Sequence, residues 1–492
     1  MIKNLFIYWN STFINAPEIV KKCLLSWKIH NPTWTIYELD DINLIEYIDL
    51  TEIIQNKTIT TTSLSDIIRV SLLKKYGGIW CDATVLCMFP LDSWLFEYIE
   101  TGFFAFEQKC DRIMSSWFLY SEPNHYIINN LYDSVINYIY NANNIGFSNT
   151  NTIQDWNIDK YKKSHYFWFH YLFGDLVKSN QTFNDIWKNT KKISADNPHY
   201  LQSVGLTKKI NNKLIKYINN NKTQLYKLTY KYNNNNNDKN TIIYYLMNLY
   251  KIKFIHIGKC AGTSIVTYFN IEQIHLEKPL AQQNVFWITW IRNPIERYVS
   301  AFNFSHSLIN IDVSKLDKNN LTIQNCLAPV RIMNKIKKGY LFDITFEKLI
   351  NYFSTANNLA ESITSNDITI REKALQLMNS TEEHIYKGIG WYFDNGDFIE
   401  KNHKNILFVG KVETMNTDIE KLGKLLNIKL PNEILKIREN NNNNNKSLSK
   451  LAIDNIINFY KDTDYKTINT FIKYNLIDKN VIDEYYNYKY IL

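Results

Sequence analysis

The strongest constraint on this chain is a short apolar run that breaks at a glycine. Lys253-Phe254-Ile255-His256-Ile257 reads as a buried strand, Gly258-Lys259-Cys260-Ala261-Gly262 as a loop, and Thr263-Ser264 as the start of a helix running to Phe269. A strand that feeds a glycine-bounded loop and then a helix is the unit of a parallel α/β sheet. Such a loop aims backbone N–H groups and a helix N-terminus at an anion. Lys259 adds a charge that can neutralise a phosphate and assist a leaving group. The ATP/GTP loop pattern GxxxxGK[ST] fails, because the lysine precedes the second glycine. A generic strand–turn–helix without a ligand is the plain alternative.

The same unit recurs downstream. Residues 285–291 read as a second strand, followed by Arg292-Asn293-Pro294-Ile295-Glu296-Arg297-Tyr298-Val299-Ser300. Arg292 stands at the strand end and Ser300 two turns into the helix, a pair able to grip a second, separate phosphate. A helix-start arginine and a solvated serine are the plain alternative. Two grips on successive strand–helix units imply a ligand with phosphates at both ends, which describes 3′-phosphoadenosine-5′-phosphosulfate (PAPS) better than ATP.

This pair of motifs resembles the carbohydrate-type sulfotransferases, over roughly residues 251–430. Their phosphosulfate loop commonly reads HIPKTAGTS, against His256-Ile257-Gly258-Lys259-Cys260-Ala261-Gly262-Thr263-Ser264 here. Gly258 and Cys260 depart from the usual Pro and Thr. Their second motif, R-[DN]-P-x-x-R-x-x-S, fits Arg292 and Ser300 at full spacing, and Phe408-Val409-Gly410-Lys411-Val412-Glu413 is similar to a later family strand. The resemblance implies a P-loop-like α/β sulfotransferase fold and PAPS as sulfuryl donor. Lys259, Gly262, Thr263, Ser264, Arg292 and Ser300 would bind PAPS, with Lys259 also catalytic. Sulfuryl transfer to an alcohol needs a general base. The resemblance places it near His275, with His384 as the second choice. The reaction itself needs no metal.

The N-terminal half also alternates strands and helices. Residues 5–9 and 34–39 read as strands, 17–30 and 65–76 as helices, with Ser65 as the N-cap of the second. Gly77-Gly78 stops that helix, and Ile79-Trp80-Cys81 leads to Asp82 at a strand end. Asp66 and Arg69 lie three apart on one helix face. An acid at a strand's carboxyl end can hold a ribose hydroxyl or a phosphate-bound cation. A helix salt bridge and a turn-capping aspartate are the plain alternative.

This segment resembles the capsular-polysaccharide-synthesis glycosyltransferases, relatives of the DXD-containing, GT-A-fold sugar transferases, over roughly residues 1–205. The similarity extends to Phe6-Ile7-Tyr8-Trp9, Ser26-Trp27, Asn31-Pro32-Thr33-Trp34 and the aromatic block from His165 to Phe173. It implies a nucleotide-sugar donor, with Tyr8 and Trp9 near the base, Asp66 and Arg69 near the sugar, and Asp82 at the DXD position. A divalent cation, Mn or Mg, would take Asp82 as its ligand. The second acid of the motif is replaced by Thr84, and one carboxylate plus one hydroxyl makes a poor cage for such a cation. His170 is either a further ligand or, as the aromatic run favours, a packed residue.

The organisation expected is therefore α/β in two domains. A GT-A-like domain covers residues 1–207, a polar Asn/Lys/Tyr-rich linker 208–250, and a sulfotransferase domain 251–492 with an Asn-rich insertion at 440–445. The runs at 233–237 and 440–445 read as surface loops or insertions. With 45% hydrophobic and 15% aromatic residues the chain is not a disordered one. A net charge of +8 over 492 residues fits local grips on anions better than a nucleic-acid surface. Six cysteines without a CxxC pair read as reduced thiols rather than a disulfide framework or zinc site. The start lacks a secretory leader, and no uncharged apolar stretch reaches the ~18 residues of a membrane span, so a cytoplasmic protein is expected. The function expected is a bifunctional transferase with a glycan or polysaccharide acceptor and no nucleic-acid partner. The alternative is a sulfotransferase whose N-terminal domain only binds a glycan or nucleotide.

Overall fold

The computed structural model describes residues 2–108, 112–141, 144–145, 165–220, 223–232, 238–282, 284–312, 314, 332–333, 336–337, 339–430 and 447–488. Both asparagine runs, Cys110 and Cys326 lie outside the described residues. The chain forms two compact units, Met1–Tyr250 with Leu425–Asn427, and Lys251–Lys424 with Ile428–Leu492. Both are mixed α/β structures with parallel strands.

In the first unit, β1 (Asn4–Tyr8) is followed by α1 (Glu18–His30), β2 (Thr35–Leu39), α2 (Thr61–Tyr76), β3 (Gly78–Asp82) and β4 (Val85–Cys87). Then come β5 (Phe103–Glu107), β6 (Met114–Ser121), α3 (Tyr126–Asn141) and α4 (Trp168–Ser179). The main sheet has the order β2-β1-β3-β6-β5. β1 is parallel to both β2 and β3, whereas β6 is antiparallel to β3 and to β5. Leu5, Phe6, Ile7 and Tyr8 are all buried, as an interior parallel strand covered on both faces requires.

The helix α2 begins four residues before the expected start. Thr60, not Ser65, is the N-cap, its hydroxyl accepting from the Ser63 N–H at 3.3 Å. The run Thr60-Thr61-Thr62-Ser63 offers an earlier capping oxygen, and Ser65 instead donates to Thr61 O within the helix. The helix ends at Gly77, with φ at +63°, and Gly78 follows with φ at +103°. A Cβ at position 78 would lie 2.6 Å from the Asn4 carbonyl oxygen. Only glycine therefore lets β3 enter the sheet against β1.

Residues 208–250, expected as a linker, are part of the first unit. They contain helices Asn212–Asn219 and Ile242–Met247 and the strand β7 (Leu225–Lys227), which pairs antiparallel with β4. Leu214, Ile218, Leu225, Tyr226, Leu228, Ile242, Ile243 and Leu246 are buried. The polar composition of the stretch averages over these apolar positions, which lie on or next to short elements.

The second unit opens with β8 (Lys251–His256), α5 (Gly262–Phe269), β9 (Gln273–His275), β10 (Val285–Ile291) and α6 (Pro294–Ile309). It adds β11 (Ile406–Lys411) and, later, α7 (Lys450–Tyr460). Its sheet is wholly parallel, in the order β9-β8-β10-β11. All four carboxyl ends therefore share one edge. Every residue of β10 is buried. No helix among the described residues is long and apolar enough to cross a membrane.

Candidate functional site

Each unit gathers charged side chains at the carboxyl ends of its parallel strands. In the first, α2 presents Asp66 and Arg69, one turn apart, to the end of β3. The Arg69 guanidinium donates to Asp66 and reaches Asp82 Oδ1 at 3.3 Å. It also lies over the rings of Trp80 and Phe169, 5.1 and 5.5 Å from their centres. Trp80 Nε1 donates to the same Asp82 oxygen at 3.0 Å. The sequence expectation brought Asp66, Arg69 and Asp82 together, and the structure places them in one cluster.

A fourth member was not foreseen. Lys227, at the end of β7, donates to Asp82 Oδ2 at 2.9 Å and to Thr84 Oγ1 at 2.8 Å. The same short strand carries the chain on to Tyr230, whose ring meets Trp9 edge-on at 5.0 Å. The available signal was the pattern Leu225-Tyr226-Lys227-Leu228, a short strand inside a polar stretch. Burial would raise the Asp82 carboxyl, but Lys227 first and Arg69 second outweigh it and hold its pKa down at about 2. Asp66 behaves oppositely. Burial pushes it up to about 7, against the pull of Arg69 and with the help of Asp82.

Tyr8 lies beside Asp82 in the β1/β3 register, and its hydroxyl donates to Asp41. Burial, then the Asp41 contact, raises the Tyr8 phenol well above its usual value, so it stays a donor. His170 sits between Phe167 and Phe169, at 5.6 and 6.0 Å. Burial, then Arg69, lowers its pKa to about 3, so the ring is neutral and packed.

The donor set does not fit a Mn or Mg cage. Both Asp82 oxygens are engaged by Arg69, Trp80 and Lys227, and the Thr84 hydroxyl accepts from Lys227. Among the described residues no group of three or more His, Cys, Asp or Glu could hold a metal ion. Two carboxyl groups, Asp66 and Asp82, stand against two basic side chains, Arg69 and Lys227, where a cation site wants an excess of carboxylates.

In the second unit the loop after β8 turns through two left-handed residues, Lys259 at φ +70° and Ala261 at φ +60°, and α5 begins at Gly262. A Cβ at Gly258 would overlap the His384 ring, and one at Gly262 would overlap the His256 ring. The departure of Gly258 from the usual proline thus has a packing cause. Lys259 Nζ stands 3.9 Å from the centre of the Phe304 ring. Ser264 is buried and Thr263 half-buried in the first turn of α5. Cys260 is a buried thiol whose pKa burial raises to about 12, and Cys23, Cys81 and Cys87 are likewise buried and free.

Arg292 follows β10, as expected, but its Nε and Nη2 both donate to Glu296 Oε2, at 3.1 and 2.9 Å. Ser300 lies one turn beyond Glu296 on the same face of α6. Asn293 caps that helix through Ile295 N and donates its own N–H to Glu413 Oε1 at 2.7 Å. The second arginine of the motif, Arg297, is fully buried. It pairs with Asp464 at 3.2 Å and donates to the His384 carbonyl at 2.7 Å. His275 ends the edge strand β9, where its Nδ1 meets the His256 carbonyl at 2.8 Å and its ring stacks on His256 at 4.1 Å. His384 lies 5.5 Å from His275, ring to ring, so the two candidate bases share one histidine cluster at the sheet edge.

The family model described as "Capsular polysaccharide synthesis protein" matches residues 1–246. Among curated proteins the chain is similar to the O-glycosyltransferase braB of Annulohypoxylon truncatum. The two are 30% identical over 111 residues, or 20% of this chain and 24% of that protein. It is also similar to the glycosyltransferase afumC of Aspergillus fumigatus, 29% identical over 111 residues, or 20% of this chain and 28% of that protein. The chain thus spans about a quarter of the length of the curated relatives it matches. Among solved structures it is similar to the PaToxG glycosyltransferase, at 14% identity and a TM-score of 0.24, over 44% of this chain and 84% of that one.

Proposed function

The chain belongs to the capsular polysaccharide synthesis family, and on that premise we propose that its first unit transfers a sugar from a nucleotide sugar to a carbohydrate hydroxyl. The observation that carries this reading is the buried cluster of Asp66, Arg69 and Asp82 at the carboxyl end of β3, with Tyr8 beside it. Ligands of open α/β sheets gather at that edge. Asp82, held ionised, and Arg69, fixed between two carboxylates and two rings, are rigid groups suited to sugar hydroxyls and donor oxygens. The test is turnover of UDP- and GDP-sugars by the full chain. Release of the nucleotide that is lost in Asp82→Ala supports the reading; no turnover of any nucleotide sugar contradicts it.

For the second unit the proposal is sulfuryl transfer from PAPS to a carbohydrate hydroxyl. The loop of residues 257–261 turns through two left-handed residues into the start of α5, a strand–loop–helix arrangement of the kind that can offer backbone N–H groups to a phosphate. Lys259 supplies the charge for the 5′-phosphosulfate, and Thr263 and Ser264 supply hydroxyls. Arg292 and Ser300 take the 3′-phosphate, for which Arg292 exchanges Glu296 for the ligand. His275 accepts the proton of the acceptor hydroxyl, with His384 beside it. Mass spectrometry of a glycan incubated with the full chain and PAPS tests this by the appearance of one added sulfate.

A second reading of the first unit rests on Thr84, which stands where the resembled motif has an acid. On that reading the unit binds a nucleotide or glycan without turnover, and the second unit alone is catalytic. Nucleotide-sugar turnover abolished by Asp82→Ala excludes it.

A further inference from the structure

The residues around Asp82 are arranged for an anion, and the group that makes them so is Lys227. Its ammonium spans positions 82 and 84, 2.9 Å from the carboxylate and 2.8 Å from the threonine hydroxyl. An ammonium has three N–H donors; among the described residues these two acceptors leave one for a ligand. The side chain is 17% exposed, so its charge is largely shielded from water yet reachable from the cluster. Arg69 brings a second fixed cation to the other Asp82 oxygen, and its buried Nε has no acceptor among the described residues. The two cations face one ionised carboxylate, Asp82, and one carboxyl that burial pushes up to about 7, Asp66, so no excess of negative charge draws a divalent metal. With Asp66 protonated the cluster carries a net positive charge, which a diphosphate would meet.

We propose that Lys227 is a built-in counter-cation for the donor's diphosphate, taking the place between positions 82 and 84 that a divalent metal occupies where both residues are acids. The inference rests on the nucleotide-sugar reading of the first unit and adds to it how the donor's charge is met. In the transfer, the bond from the anomeric carbon to the diphosphate oxygen breaks and its electron pair stays on the diphosphate. The acceptor hydroxyl oxygen forms the new bond to that carbon, and its proton leaves to water. Lys227 and Arg69 neutralise the charge that the diphosphate gains. Thr84 belongs to the same design: a hydroxyl holds the ammonium in place without adding the second negative charge that would call for a metal.

The test is calorimetric titration of the full chain with UDP and with GDP, in EDTA and in Mn²⁺. Affinity in EDTA within about threefold of that in Mn²⁺ is the expected result. Lys227→Met, which keeps the length of the side chain without its charge, should weaken binding in EDTA about 10- to 100-fold, the usual worth of a charge-assisted hydrogen bond. Lys227→Arg should recover part of it. Thermal melting of each variant separates lost binding from lost folding, and the wild-type comparison of EDTA with Mn²⁺ stands even if no variant folds. The paired change Thr84→Asp with Lys227→Met should make binding depend on Mn²⁺. Wild-type binding that disappears in EDTA and returns with Mn²⁺ overturns the inference alone, as does unaltered affinity in folded Lys227→Met. No binding of UDP or GDP under either condition overturns the inference and the nucleotide-sugar reading together.

Discussion

The two units place their buried charges differently. In the first, the buried ion pairs are themselves the candidate site, because Asp66, Arg69, Asp82 and Lys227 hold one another at the strand end. In the second, Arg297 pairs with Asp464, both almost wholly inaccessible, while Lys259 and Arg292 stand nearer the surface. Arg297 braces the His384 segment from behind through a carbonyl contact. Binding and stability should therefore be coupled in the first unit and separable in the second. A cluster of paired charges is pre-organised but cannot lose a member without exposing another to an unpaired burial. In the second unit the loop after β8 carries its charge on one lysine, Lys259.

Mutations can break this contrast. The largest effect belongs to Arg297→Met, which leaves Asp464 buried without its partner and should cost about 3–5 kcal/mol of stability; a denaturant melt giving less than about 1 kcal/mol would make the pair incidental. Next comes Lys259→Ala. It should reduce PAPS-dependent sulfation at least about 100-fold, as removal of a charge-stabilising donor does, with the melting midpoint unmoved. Equal turnover, or a large loss of stability, would erase the separation claimed for the second unit. Asp82→Asn should lower stability by about 1–3 kcal/mol and weaken UDP binding in the same protein, since it disarms both partners at once. Intact stability with lost binding would show the first unit to be built like the second.

The smallest effect is on pH dependence. Asp66 has a folded-state pKa raised from 3.8 to about 7, so the folded protein holds its proton longer and stability falls as pH rises between those values. Asp82, lowered from 3.8 to about 2, contributes stability that is present above pH 3.8 and lost as pH falls through 2. Asp66→Asn should flatten the fall between pH 4 and 7 without altering the acid limb. An unchanged profile would place Asp66 outside the coupled cluster.

Much of this was legible in the chain because it is local. Asp66 and Arg69 are one helical turn apart, and Gly77-Gly78 marks the only way from α2 into β3. The loop from Gly258 to Gly262 likewise follows from adjacent residues. What could not be read depends on distant pairing. Lys227 reaches Asp82 across 145 positions through β7, a three-residue strand set in a polar stretch whose composition is that of a linker. The ion pair of Arg292 with Glu296 follows from spacing alone, since the two are four apart at the start of α6. Arg297 has no sequence mark of burial, because its partner Asp464 lies 167 positions on, in a π-helical turn after α7.

On the proposed reading the two units hold separate ligands, a nucleoside diphosphate in the first and PAPS in the second. Titrating the full chain with UDP, and then titrating the UDP-saturated chain with 3′-phosphoadenosine-5′-phosphate, tests it most directly. One equivalent of each should bind, neither displacing the other, with Lys259→Ala removing only the second and Asp82→Asn weakening only the first. Competition between the two ligands for one equivalent, or loss of both through either substitution in a folded protein, would contradict it.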